Sequence, residues 1–339
     1  MNPVPTLSLA PMQDVSVLPL WRCLERRGGP DVYVTEYFRV HRDSHPEKEI
    51  LRSIVDSPGD EPVIAQMIGN DPEHLLRTTK LLQDQSDCAG IDINLGCPAP
   101  TVCGKQSGGA LLKDHDLVRE IVETLRPTVR GTFTLKTRIG FETPEEFEAL
   151  LALFASLPID GLAIHGRTVR EKYQSPVHTD CIKHAVKTLP FSVTANGSIV
   201  NAETALGMHR STGASGLMIG RGGIRNPWLF QQVRDAFSGI KSHTPTLRDV
   251  REYIFELRDE IQASGDFDND THLVHRMKKF TNYITSGIHE GEFNHALRRS
   301  NTLALFEKIC DEHLSSDEVF PDYPAEDGKL FCGFKKLVA

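Results

Sequence analysis

The sequence predicts an α/β barrel of the TIM type, (β/α)8, followed by a smaller all-helical C-terminal domain. Eight short β-rich apolar runs recur through the first two thirds of the chain, and segments with helical spacing lie between them. Strand signals stop after Trp228. An open doubly wound sheet usually carries a GxGxxG turn after its first strand. Here that strand runs into Ala10, Pro11, Met12 and Gln13, which favours the closed barrel.

The predicted strands follow one another at intervals that leave room for helices. We expect strands at 7–10, 32–35, 63–67, 90–94, 133–136, 161–165, 192–195 and 216–219. Helical spacing marks 72–82, 117–125, 144–154 and 202–209. This βα alternation is typical of a parallel sheet, and eight such units in about 230 residues fit a TIM barrel.

Beyond the barrel, apolar residues keep a helical spacing, which predicts a second domain made of helices. Thr246, in the linker 244–246, is a candidate N-cap of its first helix. We therefore predict a barrel domain at 1–242 and a helical domain with an acidic tail at 243–339. The apolar positions are Val250, Tyr253, Ile254, Leu257, Ile261, Phe280, Tyr283, Ile284, Leu303, Leu305, Phe306 and Ile309.

Composition and cysteine usage indicate a globular protein of the cytoplasm. Hydrophobic residues make up 39% of the 339 residues, and no apolar run approaches the roughly 18 residues of a membrane span. The N-terminus lacks the pattern of a secretory signal. The seven cysteines are dispersed and form no CxxC pair, so we expect reduced thiols and no metal. We expect a monomer without a membrane partner.

The formal net charge of −8 argues against a nucleic-acid partner, but its distribution weakens the objection. Basic residues precede the acidic tail, so a local basic face can bind phosphates; the alternative is an ordinary solvated helix face. The basic residues are Arg276, Lys278, Lys279, Arg298 and Arg299. The acidic ones are Asp311, Glu312, Asp317, Glu318, Asp322, Glu326 and Asp327.

Polar residues gather where the predicted strands end, which is where TIM barrels carry their chemistry. Each alone could be an ordinary rim residue, but their joint placement predicts an active site. They are Pro11, Met12, Glu36, Arg39, Gln66, Asn94, Cys97, Lys136, Arg138, His165, Arg167, Asn196, Gly197, Gly220 and Arg221.

Two of these strand ends predict a phosphate site, and two other residues predict a ring beside it. The loops at 196–198 and 220–223 contain glycines, whose backbone N–H groups can approach a phosphate closely, and Arg221 can add its charge. Gln66 and Lys136 would face a ring above the barrel, where a lysine stabilises the anion of a reduced flavin. FMN satisfies both demands. The alternatives are ordinary βα turns and a rim cation.

Cys97 is the candidate for acid catalysis. It follows the fourth strand in a tight turn between Gly96 and Pro98, which would present the thiol over the barrel mouth. A thiol with an ordinary pKa near 8.5 is mostly protonated at neutral pH and can donate a proton to carbon. A nucleophile or a buried structural cysteine are the alternatives. Cys103 is a weaker candidate for the same role.

From about residue 7 to 308 the chain resembles the tRNA-dihydrouridine synthases. The segment 94–98 (Asn-Leu-Gly-Cys-Pro) with 108–113 (Gly-Gly-Ala-Leu-Leu-Lys) resembles the catalytic segment of that family. The remaining motifs occur in order at 9–12 (Leu-Ala-Pro-Met), 135–140 (Leu-Lys-Thr-Arg-Ile-Gly), 165–168 (His-Gly-Arg-Thr), 196–197 (Asn-Gly) and 219–222 (Ile-Gly-Arg-Gly).

The resemblance implies a mechanism and its site residues. N5 of reduced FMN would deliver hydride to C6 of a flipped-out uracil in tRNA, and Cys97 would deliver a proton to C5. NADPH is the implied reductant, bound transiently in a ping-pong cycle. The implied flavin-binding residues are Pro11, Met12, Gln13, Gln66, Lys136, His165, Asn196, Gly197, Ser198, Gly220 and Arg221.

Within the family, segments 35–40 and 276–280 resemble the bacterial C-type enzymes, which act on the D-loop uridine at position 16. The chain departs from the family pattern at Tyr37 and Phe38 and at the 223–224 turn, and its acidic tail is longer. The residues that the resemblance offers for tRNA contact are Arg39, Asn94, Arg138, Arg276, Lys278 and Arg299.

Two rival functions remain open at this point. An FMN-dependent dihydroorotate or dihydropyrimidine dehydrogenase would act on the same ring as a free molecule, but it has little use for a C-terminal helical domain. A non-catalytic RNA-binding barrel would be expected to have lost Cys97 or Lys136, and both are present.

Overall fold

A closed parallel barrel forms the first part of the molecule, as the sequence predicts. The computed structural model describes residues 4–265, 269–326 and 330–338. The barrel closes because the strand Val32–Val34 pairs with Thr6–Leu9 on one side and with Val63–Ile68 on the other, while Gly216–Ile219 pairs with Thr6–Leu9. The strands are β1 (Thr6–Leu9), β2 (Val32–Val34), β3 (Phe38–Arg39), β4 (Val63–Ile68), β5 (Gly90–Leu95), β6 (Thr132–Arg138), β7 (Gly161–His165), β8 (Ser192–Asn196) and β9 (Gly216–Ile219).

The second predicted strand is confirmed as β2, but the chain then forms a further short strand, β3, which the sequence did not predict. β2 ends at Val34, and β3 pairs with the far end of β4 through Phe38 and Met67. At the break, the Thr35 hydroxyl accepts a hydrogen bond from the backbone N–H of Gln66 at 3.0 Å. The side chain thus replaces a backbone partner, which is how threonine competes with a regular ladder.

Alternation along the strands divides their side chains between two cores. Outward residues pack against the surrounding helices, whereas Ala10, Val34, Ile64, Ala163 and Met218 form a separate small cluster inside the barrel. The cross-strand register places Gln66 beside Asp92, and Asn94 beside Lys136, on this inner side. The inner surface therefore becomes polar toward the carboxyl ends of the strands.

Helices surround the barrel and begin at side-chain caps where the sequence supplies them. Asp71 accepts a hydrogen bond from His74 N at the start of the helix Pro72–Gln85, and Asn201 forms a capping box with Thr204 at the start of Ala202–Thr212. The helices of the barrel part are α1 (Leu18–Glu25), α2 (Lys48–Val55), α3 (Pro72–Gln85), α4 (Pro100–Cys103), α5 (His115–Leu125), α6 (Phe147–Ala155), α7 (Thr179–Thr188), α8 (Ala202–Thr212), α9 (Arg221–Arg225) and α10 (Leu229–Ser238). Short 3-10 turns cover Gly108–Lys113 and Pro144–Glu146.

The helical C-terminal part is confirmed, and it packs directly on the barrel. Thr246 caps its first helix, because the Thr246 side chain accepts a hydrogen bond from Asp249 N. The Tyr253 hydroxyl donates to Ile224 O at 3.0 Å, and Arg27 pairs with Glu256 at 2.5 Å. The boundary at 242 stays a prediction. The helices are α11 (Leu247–Ala263), α12 (Asp270–Ile284), α13 (Glu292–Arg299) and α14 (Leu303–Leu314), with 3-10 turns at His289–Gly291 and Lys335–Leu337.

Residues after α14 return to the barrel instead of trailing into solvent. Val319 forms an isolated bridge with Thr246, and the buried Arg225 guanidinium donates to Pro321 O and Tyr323 O. Phe331 and Phe334 are each 1% exposed, and burying an aromatic side chain stabilises a fold by about 1.5–3 kcal/mol as an upper bound. The predicted acidic tail is thus an anchored segment as far as it is described; Asp327 lies outside the described residues.

Among the described residues, no helix is both long and apolar enough to cross a membrane. Within the same ranges, no group of three or more His, Cys, Asp or Glu side chains is placed to hold a metal ion.

Candidate active site

A cavity of about 550 Å³ opens at the carboxyl ends of the barrel strands. A site of this size suits a cofactor or a small ligand. Most of the residues that the sequence predicts for cofactor binding line it, and Gln66 lies beneath them, fully buried. The predicted residues that line the cavity are Pro11, Met12, Gln13, Asn94, Cys97, Lys136, Arg138, His165, Asn196, Gly197, Ser198, Gly220 and Arg221.

Cys97 lies in a turn that Asn94 holds from inside the barrel. Asn94 Oδ1 accepts hydrogen bonds from Gly96 N at 3.0 Å and from Cys97 N at 2.9 Å, while Cys97 O accepts one from Gly109 N at 3.0 Å. Gly108 has a φ of +59° and packs under this turn; an added Cβ would lie 3.1 Å from Cys97 Cβ. The thiol is therefore placed at the cavity wall by its neighbours' backbone geometry.

Tyr37 and Cys103 both lie close to Cys97, the first at its thiol and the second at its backbone carbonyl. The Tyr37 hydroxyl lies within hydrogen-bonding reach of the Cys97 thiol, and burial is the main reason that the pKa of Tyr37 rises to about 12. The thiol of Cys103 instead donates to Cys97 O at 3.5 Å, and burial raises the pKa of Cys103. Cys103 is not among the described residues that line the cavity. The geometry thus favours Cys97 over Cys103 as the acid.

A hydrogen-bonded chain beneath the turn starts at Asp92, a residue that sequence reasoning missed. Asp92 accepts hydrogen bonds from Gln66 Nε2 at 2.8 Å and from Thr134 Oγ1 at 2.6 Å, and Gln66 Oε1 accepts one from Asn94 Nδ2 at 2.8 Å. Burial raises the pKa of Asp92 to about 6. The chain fixes the amide orientation of Asn94, so its oxygen faces the Cys97 turn. The alternation of apolar and polar residues at 91–94 was the available signal.

Lys136 and Arg138 come from the same strand and serve different neighbours. Lys136 Nζ lies 3.4 Å from Asn196 Oδ1, and burial lowers its pKa to about 8, with Arg138 adding to the effect. Arg138 is 2% exposed and donates to Gly96 O, Thr168 O and Lys172 O, each at 2.8 Å. Arg138 thus ties the Cys97 turn to the loop after β7.

The two glycine-containing loops meet at the other end of the cavity. Gly197 and Ser198 have φ values of +125° and +55°, so two successive residues adopt positive φ. The His165 ring is buried beside them, and burial and then Arg138 hold the pKa of His165 well below its ordinary value. Its Nδ1 is buried without a hydrogen-bond partner in the described structure. A neutral imidazole with an unsatisfied nitrogen is what a ligand with its own polar groups would complete.

The charge of the cavity has one sign. Lys136, Arg138, Lys172 and Arg221 line it, and no aspartate or glutamate is among its described lining residues. Several cations in the wall of a low-dielectric site attract an anion strongly. The cavity is therefore suited to a ligand that carries phosphate.

Comparison with known proteins identifies the family. The family model described as Dihydrouridine synthase matches residues 8–317 of this chain. The chain belongs to the dihydrouridine synthase family. It is thus an oxidoreductase of the dihydrouridine synthase type, and the resemblance of its motifs to that family is confirmed.

Relatives of this dihydrouridine synthase come from several bacteria. The tRNA-dihydrouridine synthase B of Pseudomonas putida is 34% identical over 254 residues, which cover 74% of this chain and 74% of the relative. The tRNA-dihydrouridine(16) synthase of Neisseria meningitidis serogroup A is 30% identical over 264 residues, covering 74% and 78%. A solved histamine dehydrogenase from Rhizobium sp. 4-9 shares the barrel fold, with a TM-score of 0.52 and 13% identity; 74% of this chain matches 49% of that chain.

The residues that the sequence offers for tRNA contact separate into two groups in this dihydrouridine synthase. Asn94 and Arg138 lie inside the barrel mouth, in the contacts described above. Lys278 Nζ donates to Arg298 O at 3.1 Å and to Ser300 O, so its ammonium is held at the end of α13. Arg39 and Arg299 are exposed, and Arg276 is partly exposed. A contact with tRNA stays a prediction for all six.

A second cavity of about 610 Å³ lies between the barrel rim and the helical part, next to the first. Gln13 lines both cavities. Glu36 lies in the wall of the second cavity, where its Oε1 accepts a hydrogen bond from Val15 N at 2.9 Å. Burial raises the pKa of Glu36 to about 7, against an opposing effect of Arg276. Glu36 therefore holds the 12–16 loop that borders the first cavity.

Proposed function

We propose that this chain binds FMN and reduces a uridine of tRNA, at position 16 of the D-loop, to 5,6-dihydrouridine. One observation carries the proposal. The thiol of Cys97 and the cations Lys136, Arg138, Lys172 and Arg221 line the same cavity, in a chain of the dihydrouridine synthase family.

The residues present fit a flavin mononucleotide. The glycine-containing loops at 196–198 and 220–223, the second of which carries Arg221, suit the phosphate, and the unsatisfied Nδ1 of His165 offers a polar contact nearby. Lys136 lines the cavity where a ring would sit, and Gln66 lies beneath that wall with its amide hydrogen-bonded to Asp92 and Asn94. A reduced flavin bound here would supply the hydride that is added at C6 of the uracil, and NADPH is the proposed reductant. Pro11, Met12, Gln13, Asn196, Gly197, Ser198 and Gly220 complete the proposed contacts.

Cys97 supplies the second hydrogen of the product. As C6 gains the hydride, C5 gains a proton from the Cys97 thiol, and the C5=C6 double bond becomes a single bond. The resulting thiolate regains its proton from water after the product leaves. Asn94 and Arg138 fix the turn that carries the thiol, so we assign both a positioning role in this step.

The tRNA must bring its base out of the stack to reach this cavity, at a cost of a few kcal/mol. Binding of the surrounding RNA has to repay that cost, and the phosphates are the natural partners of surface arginines. Arg39 at the barrel mouth and Arg276 and Arg299 on the helical part are proposed for this role. A tRNA substrate would place the protein in the cytoplasm.

Position 16 rests on the C-type resemblance of segments 35–40 and 276–280 and on the similarity to the Neisseria enzyme. The Pseudomonas B-type enzyme is similar over the same share of the chain, so mapping decides the position. Dihydrouridine in tRNA from cells with and without the gene should be mapped by mass spectrometry. Loss of dihydrouridine at position 16 alone is expected; loss at another position would reassign the target.

A direct assay separates this function from its rivals. The purified protein should carry FMN and oxidise NADPH much faster with undermodified tRNA than with orotate or free uracil. The reverse ranking would favour a dehydrogenase of free pyrimidines. Binding of tRNA without any product would favour a non-catalytic RNA-binding barrel.

A further inference from the structure

We infer that residues 330–338, named here the C-terminal strap, form part of the cofactor site and help to retain the cofactor. The inference rests on the proposed binding of FMN. The strap lies beyond residue 317, where the match to the family model ends. It nevertheless supplies Leu330 and Phe331 to the lining of the cavity that contains Cys97.

The strap contacts Arg221, the cation of the second glycine-containing loop. The Arg221 guanidinium donates a hydrogen bond to Leu330 O and lies 5.8 Å from the centre of the Phe331 ring. Phe331 also meets Tyr283 of α12 edge to face, at 6.4 Å between ring centres. The strap thus connects a barrel loop with the helical part across one side of the cavity.

A second contact reaches the first glycine-containing loop. Cys332 O accepts hydrogen bonds from Ser198 Oγ at 3.1 Å and from Arg167 Nη2 at 3.2 Å, and the same Arg167 nitrogen donates to Ser198 Oγ at 2.7 Å. The Cys332 thiol donates to the carbonyl of Tyr173, another lining residue. One strap carbonyl therefore fixes the side chain of Ser198 in a loop whose backbone faces the cavity.

The outer part of the strap is anchored on the barrel away from the cavity. Phe334 packs with Val200, and the ring of Phe334 stacks on Tyr323 at 5.7 Å between centres. The strap backbone touches α8 directly, since a Cβ added at Gly207 would lie 1.7 Å from Leu337 O. Anchoring on both sides holds the Leu330–Cys332 carbonyls in place.

These contacts predict that the strap and the cofactor stabilise each other. The strap contacts the 196–198 and 220–223 loops, and FMN is proposed to bind to the same loops. Because the strap already orders these loops, FMN binding costs less free energy when the strap is in place. Removing the strap leaves those loops to be ordered by FMN alone. We therefore expect weaker cofactor binding without the strap, whatever its effect on turnover.

The test compares FMN affinity in four proteins. Flavin fluorescence quenching measures the dissociation constant for the full chain, a chain ending at Glu326, Phe331→Ala and the control Leu305→Ala. Leu305 is 39% exposed on α14, outside the strap. Leu305→Ala therefore removes an apolar side chain without changing the strap itself. The shortened chain should bind FMN at least about tenfold more weakly and Phe331→Ala roughly threefold to tenfold more weakly, with the control unchanged.

A second measurement uses the intact protein and does not depend on the fold of the shortened chain. Hydrogen exchange of the strap amides should slow when FMN is added to the full chain. Equal FMN affinity in the full chain, the shortened chain and Phe331→Ala would overturn the strap inference but not the proposed function. The same holds if FMN leaves the hydrogen exchange of the strap amides unchanged. A full chain that binds no FMN would overturn the proposed function, and the strap inference with it.

Discussion

The two cavities at the barrel mouth have similar volumes, about 550 and 610 Å³, but differ in the charges that line them. The first contains a thiol and cations without a carboxylate among its described lining residues. The second mixes Arg22, Arg39, Lys48, Arg52 and Arg276 with Asp14, Glu36, Glu47 and Glu49. The volume of a cavity therefore does not by itself identify the active site of this molecule. An excess of positive charge beside a reactive group does, because cations at a low-dielectric cavity wall favour an anionic ligand.

The largest expected effect is at the thiol of the first cavity. Cys97→Ala should retain FMN and bind tRNA, but lower the rate of dihydrouridine formation by about 10²–10⁴-fold, since it removes the general acid. Single-turnover assays with pre-reduced enzyme measure this rate. Cys103→Ala is the matched control and should keep most of the activity. If Cys97→Ala were fully active and Cys103→Ala inactive, the acid would have to be reassigned to Cys103.

The next effect concerns the support of that thiol. Asn94→Ala removes the acceptor of two turn amides, so we expect a loss of up to about 10²-fold in turnover with FMN content unchanged. The control Asn70→Ala removes an amide that donates to Lys105 O and leaves the Cys97 amides untouched. Equal turnover in the two variants would show that the Asp92–Gln66–Asn94 chain does not position the thiol.

In the second cavity the expected effect is on stability and depends on pH. The pKa of Glu36 is raised from 4.5 to about 7 on folding, so the folded chain holds an extra proton between these values. Its contribution to stability is present below about pH 4.5 and is lost as the pH rises through 7.

Glu36→Gln removes this titration. When the pH is raised from 5 to 8, the free energy of unfolding of the variant should therefore rise relative to that of wild type by on the order of 2 kcal/mol. Urea unfolding of both proteins at the two pH values measures the difference. Unfolding curves that shift in parallel for wild type and variant would contradict the raised pKa.

The smallest expected effect is at the surface of the second cavity. Arg276→Ala should weaken tRNA binding by roughly threefold to tenfold. The slope of log binding constant against log salt concentration should become smaller by about 1, as expected for one lost phosphate contact. Reduction of the bound flavin by NADPH should not change. Arg210→Ala, an exposed change on α8, serves as the control. Equal salt slopes for the two variants would remove Arg276 from the proposed tRNA interface.

Much of the barrel and of its mouth could be predicted from the sequence, because the signals are local. Short apolar runs placed eight of the nine described strands, all but β3, and glycine-containing turns pointed to the 196–198 and 220–223 loops. Cys97 was found because it follows a strand in a tight turn. Asp92, Tyr37 and the break between β2 and β3 were missed, because each depends on partners in other strands.

By itself, the sequence determined the order of elements, the barrel, and the end of the barrel where polar side chains collect. Period and turn chemistry are properties of neighbouring residues, so they are legible without contacts. Only the tertiary structure decided which polar groups meet and which are already engaged, as for Lys278 and Arg138. Only the structure shows that the C-terminal strap lies beside the cavity, where Ser198 donates a hydrogen bond to Cys332, 134 residues away in the sequence. Such contacts follow from the packing of distant surfaces, which no local pattern encodes.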